Sequence, residues 1–190
     1  VSPLIVRALT IGHDASVRVR SSNQDECMML LLSGEVDFVV MYTLPGAQTA
    51  HFARAFEDLI LGSDPLIPVC APSLRDVALS NQIPGITYPS DVFLGQVFDR
   101  NIAPQLGPAV NIVTKAETAL TLAAYEFALG GIGVAWLPRS LVAGSITQGH
   151  LISLEASLPV QALDIRAFRL SEGQNAQSDE IWQRVLPDID

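Results

Sequence analysis

The chain is short of lysine, cysteine and long apolar runs, and each shortage excludes something. Of eleven basic residues only Lys115 is a lysine, and the basic residues are scattered along the chain. With a formal charge of −9 and a pI near 4.6, the surface repels phosphate backbones, so these residues hold no nucleic-acid contact stripe. No apolar run reaches the length that crosses a bilayer, and residues 1–7 lack the layout of a signal peptide. The two cysteines, Cys27 and Cys70, lie far apart and outside any CxxC pattern, which argues against a disulfide scaffold. Cys70 closes the apolar run Leu66-Ile67-Pro68-Val69-Cys70 and reads as an inert buried thiol. Cys27 stands on an expected helix beside Met28 and Met29, where packing and redox sensing are both open readings.

Catalytic signals are missing too. His13, His51 and His150 fall in expected loops without metal-ligand spacing. There is no G-x-S-x-G elbow and no phosphate-binding loop, and Gly130 to Gly133 does not make a dinucleotide fingerprint. The expectation is a protein that is not an enzyme and carries neither metal nor cofactor.

What is present is core. Hydrophobic residues make up 49% of 190 and charged residues only 16%, enough for one large domain or two small lobes. The most informative stretch is Gly130-Gly131-Ile132-Gly133-Val134-Ala135-Trp136-Leu137-Pro138, directly after a helical run rich in alanine and leucine. A helix that stops on glycine and runs into a short apolar strand is half of an α/β unit. The segment from Leu30 through Ser33, Gly34 and Glu35 to Val40 repeats the design about a hundred residues earlier. Two copies suggest two α/β lobes, and a gap between lobes suits a small molecule.

Along the chain, Ser2-Pro3 opens a helix that Gly12 ends. Residues 16–20 alternate as a strand, 26–33 form a helix capped by Asn23 or Asp25, and 35–42 form a buried strand. A sheet of this kind opens with a strand, whose expected place is upstream of Val1, so the chain reads as part of something longer. Strands are expected near 52–56 and 59–71, an irregular boundary over 72–84, and a strand over 85–88. Then come a helix over 91–102, a strand over 109–113, a helix over 117–129, a strand over 134–137 and a short helix from 139. Strands at 151–154 and 162–170 and a helix over 180–186 close the chain.

In α/β sheets ligands sit at the carboxyl ends of strands, where helix N-termini offer free N–H groups. That rule selects Ser21, Ser22, Asn23, Tyr42 and Thr43 in the first lobe, and Tyr88, Ser90, Asp91, Thr114, Lys115 and Glu117 in the second. Trp136 and Phe168 are apolar candidates for the floor or hinge. Ser22, Asn23 and Asp91 serve equally well as helix caps, Tyr42, Tyr88 and Trp136 as core, and Lys115 as a solvated surface charge. The helix bearing Cys27, Met28, Met29 and Leu32 is apolar on more faces than one lobe needs, as is the one bearing Ala123, Tyr125, Phe127 and Ala128. Both suit self-association through Met28, Met29, Leu32, Ala123 and Phe127, or simple burial within a lobe.

Three motifs in order now point to one family. Leu31-Leu32-Ser33-Gly34-Glu35-Val36-Asp37 has the form L-x-x-G-x-x-D before a strand, and residues 64–72, from Asp64 to Pro72, have the form D-x-L-x-x-V-x-x-P. Residues 131–138 have the form G-x-G-[IV]-x-x-L/V-P, and Gly149-His150-Leu151 follows as G-x-L. Over essentially its whole length the chain resembles the effector-binding region of LysR-type transcriptional regulators. The segment around Trp136 is similar to the hypochlorite-responsive branch. The resemblance implies a two-lobed α/β fold like the type 2 periplasmic binding proteins, with two crossing hinge strands. Subdomain I would be residues 1–71 plus 164–190, and subdomain II residues 72–163. It further implies a cytoplasmic domain that binds a small effector between its lobes, using a hydroxyl such as that of Thr114, and pairs as a homodimer or homotetramer. DNA would be bound only through a winged helix-turn-helix that is not in this sequence. The alternative on the same fold is an exported solute receptor of a transport system. A third reading is an oxidant sensor, although Met28, Met29 and Met41 leave the second lobe without methionine.

Overall fold

The structure is a computed structural model that describes residues 18–47, 55–172 and 176–185. In chain order its main elements are α1 (Gln24–Leu32), β1 (Val39–Thr43), β2 (Phe56–Ser63), β3 (Leu66–Cys70), α2 (Arg75–Ala78), β4 (Gln82–Thr87) and α3 (Phe93–Val97). They continue with β5 (Asn111–Glu117), α4 (Thr121–Leu129), β6 (Val134–Pro138), α5 (Arg139–Thr147), β7 (Ile152–Ser153), β8 (Asp164–Leu170) and α6 (Ala176–Val185).

The two glycine stops close their helices with one hydrogen-bond pattern. After α1, the Gly34 N–H donates to the Leu31 carbonyl (3.1 Å) and the Glu35 N–H to that of Leu30 (2.9 Å). After α4, the Gly131 N–H donates to Ala128 (3.1 Å) and the Ile132 N–H to Phe127 (3.0 Å). Gly131 has φ +72°, the left-handed turn that satisfies the last carbonyls of a helix and that glycine adopts without strain.

The chain forms two units, residues 1–63 with 163–190, and residues 64–162. The first holds an antiparallel sheet of order β1-β8-β2. Strand alternation sends Phe168 and Arg169 to opposite faces. Phe168 joins Leu31, Val39 and Phe56 in a core onto which Cys27, Met28 and Met41 fold. Arg169 lies over the Trp182 ring at 4.9 Å and bridges Glu57 and Asp179, each at 2.7 Å. Trp182 in turn stacks on Phe38 with ring centroids 5.9 Å apart.

The second unit holds a mixed sheet of order β5-β4-β6-β3-β7. Strands β5, β4 and β6 run parallel; β3 runs antiparallel to β6 and β7. All five residues of β3 and all five of β6 are buried, so each large side chain here contributes ~1.5–3 kcal/mol through burial. Gly133 lets β6 approach β4, since a Cβ there would meet the Pro84 carbonyl oxygen at 2.7 Å.

Several expectations shift. Strand β3 was expected to close the first lobe; its hydrogen bonds to β6 and β7 put it in the second unit. Residues 18–20 form no strand, and the helix begun at Ser2 lies outside the described residues. The stretch 72–84 is not irregular: it carries the short helix Pro72–Leu74, α2 and the start of β4, anchored by the buried Ala78 and Ile83. The helix expected over 91–102 begins at Phe93 and passes at Phe98 into a π-helical turn ending at Ile102. Strand β5 runs four residues beyond its expected end, and α4 starts correspondingly later, at Thr121.

Candidate functional site

The longer β5 relocates the carboxyl edge of the parallel strands. The Thr118 N–H donates to the Thr87 carbonyl at 3.0 Å, which brings the loop after β5 against the end of β4. The Thr118 hydroxyl oxygen accepts the Leu120 N–H at 3.0 Å, and α4 begins one residue later without a side-chain cap. Its first residue, Thr121, shares a hydrogen bond with Tyr88, whose hydroxyl donates to the Trp136 carbonyl at 3.1 Å. Burial pushes the Tyr88 phenol well above its ordinary pKa, with Thr121 pulling the other way, so Tyr88 stays a neutral donor. Thr87 Oγ1 is buried and has no partner. A buried hydroxyl left unbonded costs ~1–3 kcal/mol, so an orphan at a strand end calls for a partner of its own.

The first unit has a matching edge. Gln24 Nε2 donates to the Tyr42 carbonyl at 2.6 Å, tying the start of α1 to the end of β1. Thr43 Oγ1 is buried without a partner. On the same sheet face, Arg166 sits opposite Met41, its Nη1 on Asp58 at 2.8 Å and its Nε buried and unpartnered. The positive end of α1 is already met by Asp25 and Glu26 in its first turn. These groups can hydrogen-bond a small polar molecule; no nucleophile and base are brought together.

The other expected residues fall into three groups. Ser22 and Asn23 flank α1: Asn23 Oδ1 accepts the Glu26 N–H at 2.8 Å, and the Ser22 hydroxyl donates to the Glu26 carboxylate. Ser90 donates to Asp99 at 2.8 Å, and Asp91 is exposed. Trp136 and Phe168 are core. Trp136 is 1% exposed, its Nε1 donates to the Pro159 carbonyl at 2.8 Å, and its ring meets Phe98 edge-on at 5.1 Å. Phe168 is 3% exposed beneath α1.

Thr114 and Lys115 are not at a strand end. Both are exposed within the edge strand β5, Thr114 opposite Gly85 and Lys115 the extra residue where the register slips before Ala116. Sequence reasoning missed Thr87, Thr118 and Thr121. The available signal was Thr118-Ala119-Leu120-Thr121, two hydroxyls just before an apolar helical run, which reads as a turn and helix start.

On the expected interface helices, Met29 is 64% exposed, Leu32 45% and Phe127 36%; Met28 and Ala123 are half-buried. Among the described residues no cluster of histidine, cysteine and carboxylate could hold a metal ion, and no helix is long and apolar enough to cross a membrane.

Residues 1–186 match the family model described as the LysR substrate binding domain. The chain is 26% identical over 174 residues to the HTH-type transcriptional regulator YjiE of Escherichia coli (strain K12), covering 88% of this chain and 54% of that protein. It is 25% identical over 174 residues to the HTH domain-truncated transcriptional regulator QseD of Escherichia coli O157:H7, covering 88% of this chain and 68% of QseD. The chain thus spans about half the length of the first relative and two thirds of the second. The regulatory domain of HypT from Salmonella typhimurium superposes with a TM-score of 0.82 at 22% identity, over 97% of this chain and 88% of that one. At that identity the likeness establishes a shared fold, the two-lobed α/β arrangement of LysR regulatory domains.

Proposed function

This chain belongs to the LysR substrate-binding domain family, and we propose that it is the effector-sensing and dimerising part of a LysR-type transcriptional regulator. It acts without catalysis, in the cytoplasm, and influences DNA through a helix-turn-helix domain elsewhere in the regulator. The transport-receptor alternative is not favoured, because the matching family and relatives are transcriptional regulators.

The observation that supports sensing most directly is Thr87 Oγ1, buried and unpartnered at the carboxyl end of β4. Thr43 Oγ1 is its counterpart at the end of β1. Either hydroxyl can serve a small effector with hydrogen-bonding groups as a partner within its own unit. The effector works by binding one arrangement of the regulator better than another. Self-association uses the exposed apolar residues Met29, Leu32 and Phe127.

The test is a thermal-denaturation screen of small metabolites on the wild-type chain, repeated on Thr43→Val and Thr87→Val. A compound that stabilises the wild type but not one of the two variants supports the reading. A screen in which no metabolite shifts unfolding counts against it.

A further inference from the structure

We infer that the second unit carries a second small-molecule site at the opposite, amino edge of its parallel strands, and that it takes a small uncharged molecule with an apolar body and an amide or hydroxyl end. A cavity of about 290 Å³ lies there, between the loop before β4, the turn Ala103–Gln105, the segment leading into β5 and the loop after β7. Its floor is Ile83, 1% exposed, and its walls include Leu106, Val110 and Leu158.

No charged residue lines it. A carboxylate or ammonium entering finds no opposite charge to pair against, so the lining favours an uncharged ligand. The polar groups on the rim divide in two. The Ser80 hydroxyl is engaged locally: its one proton lies within reach of the Val77 carbonyl (2.8 Å) or the Gln82 carbonyl (3.0 Å), and its oxygen accepts the Gln82 N–H at 3.2 Å. Gln105 gives its amide N–H to the Asn101 carbonyl, which leaves its oxygen as an acceptor. The side chains of Asn81 and Ser157 line the same mouth as further donors and acceptors. The volume sits at the small end of ligand pockets, ~300–1,000 Å³, so the occupant is smaller than a drug-sized molecule.

The cavity wall is tied to the proposed effector edge through one residue, Trp136, by its side chain on one side and its main chain on the other. Trp136 Nε1 donates to the carbonyl of Pro159, a lining residue, at 2.8 Å, while the Trp136 carbonyl accepts the Tyr88 hydroxyl at 3.1 Å. A ligand pressing on Pro159 therefore disturbs the Trp136 indole bond first.

The experiment titrates the 15N-labelled chain with hexanamide and, separately, with hexanoate, following the two indole N–H resonances. The expected result is a saturable shift of Trp136 with hexanamide, none at Trp182, and at least tenfold weaker response to hexanoate. Leu106→Trp and, independently, Leu158→Trp fill the cavity and abolish the shift while the spectrum stays dispersed; if one fails to fold, the other decides. No saturable shift at Trp136, an equal response to hexanoate, or a shift that survives in a folded filling variant overturns the proposal.

Discussion

The carboxylate of Asp64 caps a helix that begins 75 residues later: it accepts the Ser140 N–H at 2.9 Å and the Ser140 hydroxyl at 2.5 Å. Helix α5 starts after Pro138, which has no side-chain hydrogen bond to give, so the cap comes from a residue remote in sequence. Asp64 is 3% exposed, and a buried carboxylate at a helix start is held by charge-assisted bonds. Asp64→Ala should cost ~1–3 kcal/mol in urea unfolding, because it leaves the Ser140 N–H and hydroxyl unpaired. Asp64→Asn, which keeps a side-chain acceptor, should cost less than half as much. Equal losses in the two variants would mean that the hydrogen bonds do not carry the effect.

Thr87→Val removes a hydroxyl that has no partner and keeps the shape of the side chain. Its urea midpoint should equal or exceed that of the wild type, since no bond is lost and a desolvated polar atom disappears. Thr114→Ala, at an exposed position of the edge strand, should change neither stability nor ligand response by more than ~0.5 kcal/mol. A ligand response lost in Thr114→Ala but kept in Thr87→Val would move the site back to where the sequence alone had put it.

Self-association should weaken when charge enters the exposed apolar residues. Met29→Glu, at a position 64% exposed, should shift the mass seen by light scattering toward the monomer with no change in the far-ultraviolet spectrum. Phe127→Glu tests the second helix in the same way. Unchanged mass in both variants would place the interface elsewhere.

Alkaline pH should destabilise the fold with a defined sign. Burial raises the Cys70 thiol from 9.0 to about 11, with Arg75 pulling slightly back. Between those values the unfolded chain has released a proton that the folded chain still holds, so stability falls as pH rises. The contribution is whole below pH 9 and fades toward pH 11, by about 2–3 kcal/mol in all. Tyr88, raised from 10.0 by burial, acts in the same direction above pH 10. Urea midpoints measured from pH 8 to 11 should decline, and Cys70→Ala should flatten the slope above pH 9.

Oxidation should follow exposure. Under substoichiometric hypochlorite, peptide mass spectrometry should find Met29 modified before Met28 and Met41, which fold against the first unit's core, and Cys27 before the fully buried Cys70. Early modification of Cys70 would contradict its burial.

The sequence exposed what depends on neighbours along the chain. Leu31-Leu32-Ser33-Gly34 and Leu129-Gly130-Gly131 each announced a helix stop and a strand, and both stops are made by the same pair of hydrogen bonds. It concealed what depends on distant partners. Lys115 reads as a residue beyond the end of a strand, but β4 holds β5 in register through a slip at that residue, so the true edge is at Thr118. Trp136 suits a pocket or the core and Phe168 reads as a pocket aromatic; the packing of Phe98 on one and of Leu31 and Val39 around the other decides for the core. Asp64 matched a motif without revealing its partner, because Ser140 is set beside it by the pairing of β3 with β6.

The most direct measurement is calorimetric titration of a stabilising metabolite from the thermal screen into the wild-type chain and into Thr87→Val. Binding to the wild type that weakens at least tenfold in a variant of unchanged stability is the expected result. Equal affinity in the two proteins would contradict the assignment of the strand-end hydroxyl to effector recognition.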